Sequence, residues 1–536
     1  MAEHNQPGGF SMPMFKPWVP EKLRPWLYVC LAFTFQLSSG VYLGGLNEMM
    51  GSLSLMREDI LMCLYSSLCG LAFTFPILFR TKFRFTNRSL LLFSAAGIAI
   101  CNFIGLFVTC LPVLWTICFI TGCLKIQGTF ECMSNIQLWM TPKERDFRVF
   151  FPLLHIIVML SIPMSDLLAV HLCHVSTWHY MSYLMIGVML FNVLWLFLCT
   201  RHFRFMKPLP FYAIDWLGAI LWVLTVMQIV YIFCYGEFYN WWDSPTIRTL
   251  TVTTASTLVL AVARMFIIRH PYLEPKMWNN KYLPGIFLLS LVIEAFFATE
   301  HVLEEVFYEG GMEWHTHSKA VLDYPVMLGV ICASLFALLW LKVWQQGRVR
   351  LIIIGLAVFI AYTLCLYFTV STEINMEKLY LPMFLRSFAA TLLSIVLLYS
   401  LQSVMHFMVF FQSLAVFQVL HLLIGGVIGA AGYAFGIRYL MADYMARYGN
   451  QLDNLRLPAR EVPQHIGEWM RQFQVASVKQ LYGIVAYAAI SVLLMIVLYD
   501  LFHTHNQIKR MPSWSSVGRI LRKTLSFRKK RRFIFN

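Results

Sequence analysis

Long apolar segments alternate with short polar connections along almost the whole chain. A helix of about 20 apolar residues spans the roughly 30 Å of hydrocarbon in a bilayer and satisfies its own backbone hydrogen bonds. The pattern therefore predicts an all-α polytopic membrane protein with fourteen transmembrane helices, at residues 25–50, 59–79, 89–110, 112–139, 149–171, 179–199, 213–234, 247–268, 283–303, 324–344, 351–371, 380–404, 408–437 and 478–502.

The composition supports a membrane protein rather than a soluble one. Hydrophobic residues make up 59% of the 536 residues and charged residues only 13%. The segment at 25–50 is too long for a signal-peptide core and lacks a small-residue cleavage site, so we expect it to remain as the first helix after a cytoplasmic N-terminal segment, residues 1–24. The 13 cysteines lie mostly within the apolar segments and are expected to act as small apolar residues.

Basic residues are concentrated in alternate connections, which predicts the orientation. The even-numbered connections carry sets such as Arg80, Lys82, Arg84 and Arg88, whereas most of the others are acidic or uncharged. The positive-inside rule then places both termini in the cytoplasm, as an even number of spans requires. The expected location is the cell inner membrane. The net charge of +15 is distributed in this way, so nucleic acid is not expected as a partner.

Two segments depart from this regular pattern. The last outer connection, residues 438–478, is long and contains five arginines, and its flanks have helical apolar spacing around a break at Leu457 and Pro458. The tail, residues 503–536, is strongly basic. It is either an amphipathic segment on the anionic membrane lipids of the inner leaflet or a solvated tail that only enforces topology.

Polar side chains form stripes on several predicted spans, and together they predict a hydrated or substrate-lined cavity. Helical spacing decides which residues share a face. The cavity candidates are Gln36, Ser39, Asn47, Lys125, Gln127, Asn135, Gln418 and His421.

A charged side chain inside the membrane costs free energy, so a titratable residue within a span is expected to have a structural or functional role. The candidates for proton coupling are Glu131, Asp166, Glu294 and His155. Structural alternatives remain open for two of them. Lys125 and Glu131 form either a buried pair that fixes helix packing or part of the coupling site, and His155 is either a coupling group or an interfacial hydrogen-bonded residue.

Other chemistry is not indicated by the sequence. The histidine pairs at 171/174, 315/317 and 503/505 lie in different connections and do not supply the three or four converging ligands of a zinc site. A phosphate-binding Gly-rich loop with Lys and Ser/Thr is missing from the sequence. We therefore predict no metal, no cofactor and no enzymatic activity.

Several segments resemble the fourteen-span drug:proton antiporters of the major facilitator superfamily, the EmrB/QacA type. They include KIQGTFECMSNIQLWMTPKERDF (125–147), WHYMSYLMIGVML (178–190), DWLGAILWVLTVMQIVYIFCYGEFYNWWDSPTI (215–247) and LPMFLRSFA (381–389). The resemblance covers nearly the whole chain. It implies two six-helix bundles, residues 25–199 and 283–502, with an inserted two-helix hairpin at 213–268.

The chain also departs from this family at its proton-coupling residues. Ser39 occupies the place of the usual Asp in span 1, Leu124 that of an Arg in span 4, and Asp166 lies in a reduced form of the glycine-rich signature of span 5. Proton coupling has therefore either moved to Glu131 and Asp166 or been lost.

The prediction that follows is a secondary transporter that exports hydrophobic or amphipathic small molecules in exchange for protons. The resemblance implies partnership with a periplasmic membrane-fusion adaptor, in contact with residues 438–478, and an outer-membrane channel. The alternatives are a membrane scaffold or sensor that does not transport, and an exporter of a lipid or siderophore.

Overall fold

The computed structural model describes residues 11–141, 146–204, 214–312, 314–450 and 462–510, and this part of the chain is helical apart from short connections. Thirteen helices within it are long and apolar enough to cross a membrane. The all-α polytopic fold is therefore confirmed, whereas the count of fourteen spans stays a prediction.

Two terms describe the ends of the bundle. The end where the helix at Arg24–Leu37 begins is called the proximal end, and the end where the helix at Leu46–Leu53 finishes is called the distal end.

The helices follow the predicted alternation along the chain. The helices are α1 (Arg24–Leu37), α2 (Leu46–Leu53), α3 (Arg57–Thr74), α4 (Leu78–Arg84), α5 (Asn87–Gly105), α6 (Leu111–Met140), α7 (Phe147–Val175), α8 (His179–Cys199), α9 (Trp216–Tyr235), α10 (Pro245–Ile267), α11 (Leu283–Phe297), α12 (Thr316–Lys319), α13 (Asp323–Leu338), α14 (Arg348–Thr369), α15 (Tyr380–Val404), α16 (Phe407–Gln418), α17 (Gly426–Gly449) and α18 (Val462–Arg510).

Four helices begin at polar residues that satisfy free backbone N–H groups of the first turn. The side chains of Thr86, Asp146, Asp215 and Ser244 accept such hydrogen bonds at the starts of α5, α7, α9 and α10. Short polar side chains favour this position because the first four N–H groups of a helix have no partner within it. These residues fix the points at which the chain enters the bundle.

The first predicted span is not one continuous helix. α1 ends at Leu37, and helical structure resumes only with a tight turn at Leu43–Gly45 followed by α2. Between them Gly40 has a φ of +81°, which side chains other than glycine rarely adopt. A Cβ atom on Gly44 would lie 2.5 Å from the Asp166 carbonyl oxygen, so the turn packs directly against α7. The continuous helix predicted for residues 25–50 is corrected to two helices with an irregular centre.

Helix packing brings two sets of helices face to face. In the N-terminal part α6 packs against α1, α3 and α5, and in the C-terminal part α15 packs against α13 and α14. α9 and α10 pack against each other, and α9 also contacts α3 and α17. The two sets meet through α7 with α13 and through α3 with α16, and these contacts border the candidate site.

The segment predicted as a long outer loop is helical at both flanks. α17 continues to Gly449 and α18 begins at Val462, while residues 451–461 and the predicted tail segment 511–536 lie outside the described residues. The chain divides into a main unit, Met1–Ala486, and a C-terminal unit, Tyr487–Asn536, in which the end of α18 is described.

Candidate functional site

A cavity of about 1310 Å³ lies in the main unit between the two sets of helices. Its wall includes residues of α3, α6 and α7 on one side and of α11, α15 and α16 on the other. Eight of the twelve sequence-predicted site residues line it: Gln36, Ser39, Lys125, His155, Asp166, Glu294, Gln418 and His421.

Aromatic rings form much of the apolar wall and connect the two sides. Phe411 of α16 lies edge-on to Phe79 of α4 and to Phe130 of α6, with ring centroids 4.3 and 5.5 Å apart. Such edge-to-face pairs add to the stabilisation that comes from burying apolar area. A large apolar cavity with a few polar groups is typical of a site for small organic molecules.

An acid and a histidine face each other on the C-terminal side of the cavity. The Glu294 Oε2 atom lies 3.2 Å from Nδ1 of His421, and His421 Nε2 lies 3.2 Å from the Ser394 hydroxyl oxygen. His421 belongs to a π-helical turn, Val419–Gly425, between α16 and α17. Such turns frequently occur at functional sites because they alter the direction of side chains. The pair therefore joins two polar stripes that the sequence shows only separately.

On the N-terminal side, Lys125 points to the break in the first span. Its Nζ atom lies 3.4 Å from the Ser39 hydroxyl oxygen, and among the described residues it forms no ion pair. Gln36 donates a hydrogen bond of 2.9 Å to Thr129 nearby. Irregular backbone at membrane depth is tolerated where it lines a cavity. The break in the first span and the ammonium group of Lys125 are in contact through Ser39, so they form one polar patch on the cavity wall.

Glu131 lies behind the cavity wall and is 1% exposed. Its Oε2 atom is 3.3 Å from Nζ of Lys82, and its Oε1 atom accepts hydrogen bonds from Asn87 (2.5 Å) and Asn135 (3.4 Å). The suggested pair of Glu131 with Lys125 is therefore replaced by a pair with Lys82, which α4 supplies.

The other predicted residues occupy distinct places. Gln127 accepts a hydrogen bond of 2.7 Å from Thr81 and does not line the cavity. Asn47 lies at the distal end, where its amide is 3.2 Å from the Thr316 hydroxyl oxygen, because the break in the first span moves it away from the cavity. His155 lines the cavity, with Nδ1 3.0 Å from a backbone carbonyl oxygen one turn earlier.

Several contacts connect the two sets of helices at the distal end. Arg57 forms an ion pair with Glu305 and also donates a hydrogen bond of 3.2 Å to the His301 carbonyl. The rings of His174 and His317 stack with centroids 4.2 Å apart. Arg57 was not among the predicted site residues, because an arginine at a helix start does not reveal its partner in the sequence.

A second cross-contact lies at the proximal end. Lys342 donates a hydrogen bond of 2.6 Å to Asp146, and Arg148 donates one of 3.2 Å to the Tyr399 hydroxyl. Burial raises the pKa of Asp146, but the hydrogen bonds from Lys342 and the Arg148 backbone, with the two positive charges, outweigh it. The pKa of Asp146 therefore lies below its usual range, and the carboxylate is ionised at neutral pH.

The C-terminal part also contains a charge cluster around the buried Arg386, which was not among the predicted site residues. Arg386 of α15 pairs with Glu300, at 2.9 Å, and with Glu304, which also accepts a hydrogen bond of 2.7 Å from Tyr362. An arginine inside a predicted span requires an acidic partner. The position of Arg386 in the sequence could therefore have indicated this cluster. Glu300 reaches the cavity wall, and the cluster therefore borders the site.

Comparisons with known proteins bear on the fold. No known protein family and no curated protein matches the sequence. A mutant form of the nucleoside transporter NupG matches the structure with a TM-score of 0.54 and 12% identity, covering 88% of this chain and 99% of that one. The structure of tetrameric PepTSo2 matches with a TM-score of 0.53 and 11% identity, over 91% of this chain and 100% of that one. A mutant peptide transporter POT in complex with sulfate matches with a TM-score of 0.53 and 12% identity, over 91% and 97%.

The chain has the major facilitator fold. At 11–12% identity the likeness extends to the fold alone. The finer resemblance to the EmrB/QacA type stays a prediction. Among the described residues, no group of three or more His, Cys, Asp or Glu side chains is placed to hold a metal ion.

Proposed function

We propose that this protein is a secondary active transporter that couples the movement of small amphipathic molecules to that of protons. The observation that carries the proposal is the pair of Glu294 and His421, which face each other at 3.2 Å on the wall of the large cavity. A carboxylate and an imidazole at this distance share protons and charge. Binding of a proton or of a charged substrate group to either one changes its interaction with the other.

Transport by this fold requires the cavity to open to each side in turn. The contacts at the two ends supply candidates for the gates: Arg57 with Glu305 at the distal end and Lys342 with Asp146 at the proximal end. Each gate joins the two sets of helices through charged groups. The contact of the half-exposed Lys342 breaks at small cost when the halves rock, since an ion pair that solvent screens contributes only about 0–1 kcal/mol.

The cavity wall favours amphipathic substrates. Its Phe-rich surface accepts apolar groups of varied shape, and Lys125 offers a positive charge without an acidic partner among the described residues. The polar or anionic end of a substrate would bind at Lys125, and its apolar part would contact the rings of Phe79, Phe130 and Phe411. Proton coupling is assigned to Glu294, with Asp166 and His155 as further candidates on the same wall.

Export from the cell is the direction implied by the resemblance to drug:proton antiporters. The same resemblance extends the proposal to a periplasmic adaptor that contacts residues 438–478 and to an outer-membrane channel. Glu131 is not assigned to coupling, because its pairing with Lys82 and two asparagines supports a structural role.

The test is proton movement in vesicles that contain only this protein and an internal pH-sensitive dye. A panel of amphipathic anions, cations, neutral compounds, lipids and siderophores is added under an imposed pH gradient. We expect at least one compound to move protons through the wild type and none through Glu294→Gln, whereas Glu48→Gln, an exposed acid outside the cavity, behaves as the wild type. Absence of coupled movement for the whole panel would instead favour the scaffold or sensor.

A further inference from the structure

A second cavity, of about 610 Å³, lies between α1 and α8, away from the candidate transport site. We call it the lateral groove. Its floor is polar, since Asn192 donates a hydrogen bond of 2.8 Å to Thr34. Its walls are mostly apolar and include Leu27, Leu31, Tyr183, Gly187, Phe191 and Trp195. Tyr183 and Phe191 are more than half exposed, so the lateral groove opens towards the surroundings of the bundle.

A pair of basic side chains lies at the proximal mouth of the lateral groove. The ring of Phe15 lies edge-on to that of Trp195, with centroids 6.4 Å apart, which places Lys16 at this mouth. Lys16 Nζ and Arg88 Nη2 lie 3.4 and 3.2 Å from the same acceptor, the carbonyl oxygen of Phe197. The Arg88 guanidinium also lies over the Phe197 ring at 4.4 Å.

These two positive charges lack a counter-charge within the part of the chain that the structure describes. Neither Lys16 nor Arg88 forms an ion pair there, and the buried Nε of Arg88 has no hydrogen-bond partner. The positive charges of Lys16 and Arg88, which share the Phe197 carbonyl oxygen, repel each other. The buried Arg88 Nε–H group without an acceptor also costs free energy. An anion at this mouth would offset positive charge of the pair and accept hydrogen bonds from Lys16 and Arg88.

Exposed tryptophans indicate the depth of the mouth in the membrane. Trp18 and Trp26, which flank the start of α1, are 63% and 66% exposed. Tryptophan is enriched at the level of lipid headgroups, where its ring is partly in hydrocarbon and its N–H group reaches water. The basic pair therefore lies where headgroup phosphates are, and the apolar lateral groove extends from it towards the hydrocarbon.

We propose that the lateral groove is a binding site for an anionic phospholipid. One acyl chain occupies the groove, and the negatively charged headgroup phosphate binds Lys16 and Arg88. A zwitterionic lipid would fill the same space but would leave the net charge of the pair uncompensated. The site is separate from the transport cavity, so this proposal stands independently of the transport function.

The test is native mass spectrometry of the full-length protein released from nanodiscs that contain equal amounts of phosphatidylglycerol and phosphatidylcholine with identical acyl chains. We expect the wild type to retain one phosphatidylglycerol molecule preferentially. Because each basic residue near a membrane surface changes affinity about fivefold, the double variant Lys16→Gln with Arg88→Gln is expected to lower the preference about 25-fold. The matched control, Arg269→Gln with Lys276→Gln, removes two exposed charges elsewhere and is expected to leave the preference unchanged.

A second variant tests the groove without touching the charges. Gly187 lines the lateral groove, and a Cβ atom there meets no atom within 4 Å, so Gly187→Trp is expected to occupy the groove and abolish retention of the lipid. Gly285→Trp is its control, since Gly285 is equally open but lies on α11. Equal retention of both lipids by the wild type, or full retention by Gly187→Trp, would overturn the proposal and leave only non-specific lipid around the bundle.

Discussion

Two acids inside the helical bundle are held in very different ways in the two parts of this molecule, with Glu131 1% exposed and the Glu294 side chain 21% exposed. Glu131, in the N-terminal part, is enclosed by Lys82, Asn87 and Asn135 and does not reach the cavity. Glu294, in the C-terminal part, lines the cavity and, among the described residues, forms its one ion-pair contact with His421.

The difference indicates which acid is available for transport. A carboxylate with an ammonium group and two amides around it cannot exchange its proton or partner without leaving a buried charge. A carboxylate on a cavity wall can do so when water, protons or substrate enter. The number and kind of partners, rather than burial alone, therefore separate a structural acid from a coupling acid.

The largest expected effect is that of neutralising Glu131, which tests its structural role. Glu131→Gln breaks the buried ion pair with Lys82, and losing one partner of such a pair typically costs about 3–5 kcal/mol. We expect a large fall in the thermal unfolding midpoint in detergent. Proton-coupled transport per folded molecule should change little.

The control for this prediction is the double variant Glu131→Gln with Lys82→Met. Removing both charges should recover most of the lost stability, because a buried pair is often replaceable by uncharged groups. If Glu131→Gln were as stable as the wild type but inactive, the assignment of roles to the two acids would be reversed.

The second prediction concerns Glu294. Glu294→Gln keeps the shape of the side chain but removes the ionisable group, so proton-coupled flux in vesicles should fall at least about tenfold, a change of about 1.4 kcal/mol. Its unfolding midpoint should stay close to that of the wild type, because the cavity lets water reach the position. A stable variant with unchanged coupling would exclude Glu294 from proton transfer.

The third prediction tests the break in the first span, which gives the N-terminal part its polar patch. Gly40→Ala places a side chain at a left-handed φ, which costs about 1–2 kcal/mol, with its Cβ 3.3 Å from Cys118 Sγ. We expect a lower unfolding midpoint. Gly51→Ala, an open position within α2, should instead be neutral or slightly stabilising.

The smallest expected effect concerns the proximal contact between the two parts. The lowered pKa of Asp146 means that its stabilising contribution is present above its unfolded pKa, about 3.9, and is lost as the pH falls through the lower folded value. Lys342 is 46% exposed, so screening by solvent limits the contribution to less than about 1 kcal/mol.

The variant for this measurement is Asp146→Asn, because asparagine still caps α7 and only the charge is lost. Unfolding midpoints of variant and wild type should differ slightly at pH 7 and converge below about pH 4. A difference that persists at low pH would show that the charge is not what connects the two parts.

Most of the fold could be predicted from the sequence because hydropathy reports directly on contact with lipid. The predicted spans 213–234 and 247–268 correspond closely to α9 (Trp216–Tyr235) and α10 (Pro245–Ile267). The break in the first span was missed because hydropathy measures composition and not helical continuity. Gly40 next to Ser38 and Ser39 was its only local signal.

The candidate site was predicted only in part, for a different reason. Helical spacing identifies the face on which Glu131 lies, but it does not show that Lys82 of another helix packs against that face. Likewise Glu294 and His421 were selected separately, and only the packing of α11 against the turn at Val419–Gly425 brings them together. Sequence periodicity shows which residues share a face of a helix, but only tertiary packing shows which residues of other helices contact that face.

The docking of the N-terminal segment has a consequence for how the protein is made. The Arg201 N–H donates to the Met14 carbonyl, and Lys16 N–H to that of Cys199, so the first residues of the chain are held by the end of α8. At a synthesis rate of about 5–20 residues per second, roughly ten to forty seconds pass before α8 leaves the ribosome. During that interval Met12, Met14 and Phe15, which are buried in the finished protein, have no native surface to cover them.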